Sequence, residues 1–237
     1  MTKYENKFNL NLNQNIFLAK KTIVQNIYNS AKLEGVNVTF PETQTILDGV
    51  NVPSITLDDL ETILNLRDAW KFLLKNIDKP LDIEYICKVN FYVSRNESLD
   101  WGVLRYGEVG IGGTDYKPPM PEKLAIETKL KEIKNLPTAT NRALEYFTWA
   151  IKSQLFWDGN KRTSTLIANK ILIEAGAGVL TIPEEKIQEF NTNLNNYYNN
   201  ESKHEEFKKF LYENLIIGLE IENRKEDIIK DDWDLEL

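Results

Sequence analysis

The densest chemistry in the chain lies in Gln154-Leu155-Phe156-Trp157-Asp158-Gly159-Asn160-Lys161-Arg162-Thr163-Ser164-Thr165. An apolar helix ends there, a tight turn follows, and a new helix opens with two cations. Gly159 allows close backbone approach, and the amides of Gly159, Asn160 and Lys161 point outward at a helix N-terminus. Such a nest binds anions, phosphate above all. Lys161 and Arg162 put positive charge at the helix end where the dipole disfavours it, and a local conflict of that kind marks function. Asp158, beside a bound phosphate, is placed to hold Mg2+. The plain alternative is a helix–loop–helix turn with a solvated Lys-Arg pair, and the spacing alone leaves both open.

Two other segments carry chemistry. Leu99 to Thr114 holds five of the eleven glycines, and Val103, Arg105, Val109 and Ile111 alternate with other residues. That pattern predicts a short hairpin or extended flap, ended by Pro118-Pro119. Near the N-terminus, Ser30 and Glu34 stand four apart before Gly35, on one helix face. An ordinary amphipathic helix end with a glycine cap reads the same way. The single histidine, His204, sits among surface charges and is expected to be solvated; its solitude excludes multi-histidine zinc sites. The single cysteine, Cys87, lies in an apolar run and reads as a small buried hydrophobe, with no intrachain disulfide available.

Helical periodicity supplies the elements that position these residues. One apolar stripe runs from about Asn13 to Gly35, through Ile16, Ala19, Ile23, Ile27 and Ala31. Val36 to Pro53 reads as loop. Further helices are expected from Thr56 to Asn76, Leu81 to Val93, Pro121 to Lys134, Thr138 to Leu155, Lys161 to Ala175, Pro183 to Tyr198 and Ser202 to Ile217. The expected class is all-α with a small β-hairpin flap. Residues 1–80 form an N-terminal helical region, 81–218 a core, and 219–237 an acidic tail. The 237 residues suffice for one large domain. Acids outnumber bases 36 to 29, so a bulk electrostatic grip on nucleic acid or anionic lipid is not expected. No apolar run approaches the roughly 20 residues of a membrane span. The N-terminus shows no signal-peptide core, and the lone cysteine fits a reducing, cytoplasmic setting.

The motif segment resembles the signature of the Fic (Fic/Doc, Fido-domain) family, HPFx[DE]GNGRxxR with Lys common in place of the second glycine. Phe156, Asp158, Gly159, Asn160, Lys161 and Arg162 match it. The stretch from Gly102 to Gly113, with Tyr116-Lys-Pro118-Pro119, resembles the family's target-binding flap, here centred on Val109, Gly110, Ile111, Gly112 and Gly113. Ser30 and Glu34 resemble the inhibitory motif [ST]xxxE[GN]. The similarity covers roughly Leu81 to Ile217. It implies transfer of AMP from ATP, with Mg2+, to a hydroxyl of a protein target. Gly159, Asn160, Lys161 and Arg162 would then hold phosphates, Asp158 the metal, and Glu34 would inhibit. Oligomerisation is left open.

The departures bear on activity. Gln154 stands where the family has its histidine base, and an amide cannot accept a proton near neutral pH. Thr165 stands at the motif's final arginine, so Glu34 lacks its usual partner and Lys161 or Arg162 serves instead. Leu155 replaces proline. The resemblance therefore implies either a weak or altered transferase, including reversal or hydrolysis assisted by Glu34, or a non-catalytic nucleotide- or protein-binding module.

Overall fold

The computed structural model describes residues 4–219; the expected acidic tail, except for Leu219, lies outside the described residues. The described chain is mainly helical: α1 (Leu12–Lys21), α2 (Ile23–Leu33), α3 (Phe40–Leu47), α4 (Leu57–Lys75), α5 (Ile83–Val93), α6 (Lys123–Lys134), α7 (Ala139–Ser153), α8 (Asn160–Glu174), α9 (Ile187–Asn199) and α10 (His204–Asn214). One antiparallel pair joins β1 (Val179–Leu180) to β2 (Ile216–Ile217), with Val179 opposite Ile217.

The central element is α8, packed against α7, α5, α4, α1 and β1. Nearly every one of its residues is buried, polar ones included. Burying polar groups is costly unless each finds a partner, and several here do. The Asn169 side chain donates to Leu180 O and accepts from Leu180 N–H, as a strand neighbour would. Lys170, 1% exposed, donates to Ile77 O and to Glu174. Thr165 Oγ1 donates back to Lys161 O at 2.9 Å.

Three local expectations need correction. The N-terminal stripe is two helices, because the chain bends at Thr22, whose hydroxyl donates to Leu18 O; α1 then docks on Gly178 through both polar atoms of the Asn15 amide. Part of the segment read as loop is α3, opened by a reciprocal capping box between Thr39 and Glu42, with Pro41 in the first turn. His204 is not solvated: its ring stacks on Tyr197 at 5.1 Å between centroids and hydrogen-bonds Thr148 Oγ1 at 2.8 Å. Burial lowers its pKa, against the opposing pull of Glu145.

The all-helical class with a small antiparallel pair holds, but the pair lies beside α8. The glycine-rich segment is an extended flap with no ladder of its own. Cys87 is half-buried, and burial, with Asp82 adding, pushes its thiol up to about 11, which makes it unreactive at neutral pH.

Candidate functional site

The motif turn joins α7 to α8. Gln154 closes α7 in the left-handed region, at φ 46° and ψ 63°. Asn160 folds the turn on itself, accepting from Phe156 N–H at 3.0 Å and donating to Phe156 O at 2.9 Å. Gly159 is left-handed at φ 71°, and a Cβ there would meet Val93 Cγ1 at 2.8 Å. Only glycine fits that close passage under α5. Asn90 of α5 holds the turn from below, donating to Asp158 O and to Thr163 Oγ1.

Gly159 caps α8 without a side-chain cap. Of the three amides expected to face an anion, that of Gly159 already donates to Asp158 Oδ1. The amides of Asn160 and Lys161 are left at the helix start. Both residues line a cleft of about 560 Å³, together with Glu34, Gly110 to Gly113, Gln154, Trp157, Asp158 and the α9 face at Asn191, Asn195 and Tyr198.

The charges behind the cleft form one cluster. Arg162, 4% exposed, pairs with Glu97 at 2.6 Å and donates to Val93 O; Asp158 lies 3.7 Å from it. Its burial works against its charge, but Glu34, Glu97 and Asp158 outweigh that cost and raise its pKa. Glu34, at the C-terminal end of α2, reaches Lys161 at 3.6 Å and Arg162 Nε at 4.0 Å. These are ion-pair distances, too long for hydrogen bonds. Glu34 Oε1 and Arg162 Nε are accordingly both buried without a hydrogen-bond partner among the described residues.

Gln154 lies on the cleft wall. Its Nε2 donates to Ile151 O at 2.7 Å and reaches Tyr198 OH at 3.5 Å. A carbonyl only accepts, so this bond fixes the amide's orientation and leaves Oε1 as the end for a ligand. Asp158 is half-exposed at the rim. Among the described residues no cluster of three or more His, Cys, Asp or Glu could hold a metal. One carboxylate fits an ion such as Mg2+ brought in on phosphate oxygens, not a resident metal.

The expected site residues are thus brought together on one cleft, with three qualifications. Arg162 lies behind the cleft wall, in the ion cluster. Val109 is not among the lining residues. Ser30 serves α2 through its carbonyl, which accepts from Glu34 N–H. Sequence reasoning missed Glu97, Asn90 and Tyr198. Glu97 is held from the other side by Thr62 and Asn65 of α4, a pairing 65 positions from Arg162 for which no local pattern exists. Asn90 carried a weak signal, as an amide on the otherwise apolar face of α5.

Comparison with known proteins places this geometry. Residues 80–172 match the model of the Fic/DOC family. The chain is 27% identical over 177 residues to the protein adenylyltransferase Fic of Drosophila yakuba, covering 70% of this chain and 35% of that protein. It is 28% identical over 178 residues to the Drosophila erecta protein of the same name. The chain therefore spans about a third of the length of these relatives. Among solved structures, Fic-1 (residues 134–508) from C. elegans superposes with a TM-score of 0.68 at 20% identity, over 83% of this chain and 60% of that one. A Fic domain-containing signaling protein from Bacteroides thetaiotaomicron gives 0.67 at 20% identity, over 86% of both chains. The motif turn, the flap, the helices α5 to α7 and all but the last two residues of α8 fall in the matched span, so residues 80–172 are the part of this chain that is similar to the Fic/DOC family.

Proposed function

We propose that this chain binds a nucleoside triphosphate, ATP by its kinship with adenylyltransferases, and transfers the nucleotidyl group to a protein hydroxyl at a strongly reduced rate. The observation that carries the reading is the uncapped start of α8, with Lys161 beside it, opening on a cleft whose wall holds Gln154. Phosphates would sit on the Asn160 and Lys161 amides and the Lys161 ammonium, with Gly159 allowing their close approach and Arg162 supporting the positive field from behind. Magnesium, when bound, would neutralise phosphate charge, with Asp158 as its protein ligand. The flap from Val109 to Gly113 would take a protein segment as an added strand.

In such a transfer the target oxygen bonds to the α-phosphorus, the bond to the β-phosphate oxygen breaks, and the hydroxyl proton must go to an acceptor. Gln154 Oε1 orients the hydroxyl but cannot take that proton. General-base catalysis is worth roughly 10²–10⁴-fold, so this chain is slow by that order. In the helical region of residues 1–80, Glu34 stands where a terminal phosphate would contact Lys161 and acts as a partial inhibitor of the 81–218 core.

A second reading, nucleotide binding without transfer, is favoured by Thr165. Its hydroxyl is turned back to Lys161 O and supplies no charge to a phosphate. Radiolabel transfer from α-labelled ATP with Mg2+ in a lysate separates the two. Gln154→His raises transfer at least 100-fold if the site retains its transferase geometry. No gain in that variant or in the double variant with Thr165→Arg establishes the binding-only reading.

A further inference from the structure

We infer that Arg105 is a positioning residue that locks the flap and residue 154 into one frame, so that a segment laid on the flap meets the cleft at a fixed place relative to Gln154. This rests on the transfer reading above for its functional consequence, and on geometry for the frame itself.

Arg105 is 2% exposed, among the largest fully buried side chains in the protein, and the ion pairs among the described residues do not include it. Burial lowers its pKa and Glu108 opposes that from a distance, so with no carboxylate in contact the charge must be held by dipoles. Four backbone carbonyls do this. Arg105 Nε donates to Gln154 O at 2.6 Å; Nη1 donates to Gly107 O at 2.7 Å; Nη2 donates to Pro119 O at 2.6 Å and Pro118 O at 3.3 Å. Its own amide donates to Leu155 O at 3.0 Å. One guanidinium thus joins the entry of the flap, its exit and the motif turn. The planar fork is what makes this possible, since a lysine carries its three donors on one nitrogen and cannot span carbonyls spread around a guanidinium plane.

Two further contacts support the frame from the flap side. Gly107 lies so close to Trp157 that a Cβ there would be 2.4 Å from Cη2, and Tyr106 packs edge-on against the same indole at 5.3 Å. Beyond the flap, Tyr116 stacks on Tyr198 at 6.1 Å, and Tyr198 OH is the group facing Gln154 Nε2. Gln154 occupies a left-handed conformation that non-glycine residues avoid. Such a conformation persists where the surroundings over-determine it, and Arg105 supplies the bond to its carbonyl.

The test is hydrogen exchange by NMR on the full chain and on Arg105→Lys. Exchange at the amides of residue 105, Thr114, Tyr116 and Gln154 should rise at least tenfold, with Ile167 to Ile173 of α8 unchanged. In the parent chain the Arg105 Nε–H should give a slowly exchanging resonance, so the frame is tested even if the variant folds poorly. Fast exchange of that resonance, or acceleration spread equally into α8, overturns the proposal. In a Gln154→His background, Arg105→Lys should raise the KM for the protein target about tenfold with the ATP Kd within twofold. An equal loss in ATP affinity overturns the positioning role. Absence of transfer both in Gln154→His and in its double variant with Thr165→Arg would instead refute the transferase reading, leaving the exchange measurements to decide the frame.

Discussion

Glu145 and Glu34 each face two cations between packed helices, and they differ in how completely they are bonded. Glu145, on α7, accepts from Lys129 of α6 at 2.8 Å and from Lys208 of α10 at 3.0 Å, one cation per oxygen. Burial disfavours its charge, yet the two lysines hold its carboxyl below the usual range. Glu34 approaches Lys161 and Arg162 at 3.6 and 4.0 Å and leaves a buried oxygen and a buried Nε–H without hydrogen bonds among the described residues. The first cluster is closed and serves to dock α10. The second is open on a cleft beside an uncapped helix start. Buried polar atoms left unsatisfied are expensive, so the open cluster is less well settled than the closed one, and Lys161, which lines the cleft, is the cation there that an incoming anion can reach.

The largest expected effect sets the two clusters apart. Glu145→Ala takes from Lys208, whose side chain is 6% exposed, its nearest carboxylate and leaves it Asn141 at 3.3 Å and Glu205 at 3.7 Å. Removing one partner of such a pair costs about 3 kcal/mol, which lowers the melting temperature by roughly 6–12 °C and leaves ATP affinity unchanged. Calorimetric melting and titration of the same preparation check both parts; an equal fall in Glu34→Gly would erase the contrast. Gly159→Ala comes next. Its Cβ meets Val93 in a left-handed conformation, so it should lose about 1–3 kcal/mol and also weaken ATP binding, coupling stability and ligand where Glu145→Ala does not. Lys161→Ala should leave melting within about 2 °C and weaken ATP binding roughly tenfold, about 1.4 kcal/mol.

The smallest effect is a pH dependence in the closed cluster. His204 has a folded pKa below its unfolded value of about 6.5. The unfolded chain therefore binds the extra proton first. This contribution is full above about pH 6.5 and is lost as pH falls through that value toward the folded pKa. Melting temperature should drop between pH 7.5 and 5.5, and His204→Gln should flatten that slope. An unchanged slope assigns the acid sensitivity elsewhere.

The parts of this protein legible in sequence were those written in short spacings. The glycine turn ahead of Lys161 and Arg162, the four-residue step from Ser30 to Glu34 and the periodic helices all depend on neighbours along the chain. With Thr165 at the motif's final arginine, the motif register also leaves Lys161 or Arg162 as the cation facing Glu34, and both lie within 4.0 Å of it. Other features were local but overlooked: the Thr39–Glu42 capping box announces α3, yet the surrounding mixed pattern obscured it. The bend at Thr22 was hidden because the apolar stripe continues across it. The alternation around Val103 to Ile111 suggested a hairpin, but a ladder needs a facing strand, and this flap is held by Arg105 instead. Contacts across the fold gave no signal. Nothing near Glu97 announces Arg162, and the polar flanks of His204 conceal its stack on Tyr197.

Under the proposed function, the start of α8 is a phosphate site partly blocked by Glu34. Isothermal titration of ATP with Mg2+ into the parent chain and into Glu34→Gly tests it most directly. Saturable binding is expected in both, tightened about three- to tenfold by Glu34→Gly and less by Glu34→Asp. The gain stays modest because Glu34 makes no hydrogen bond to either cation. Absence of binding in both proteins, or an affinity indifferent to residue 34, would contradict it.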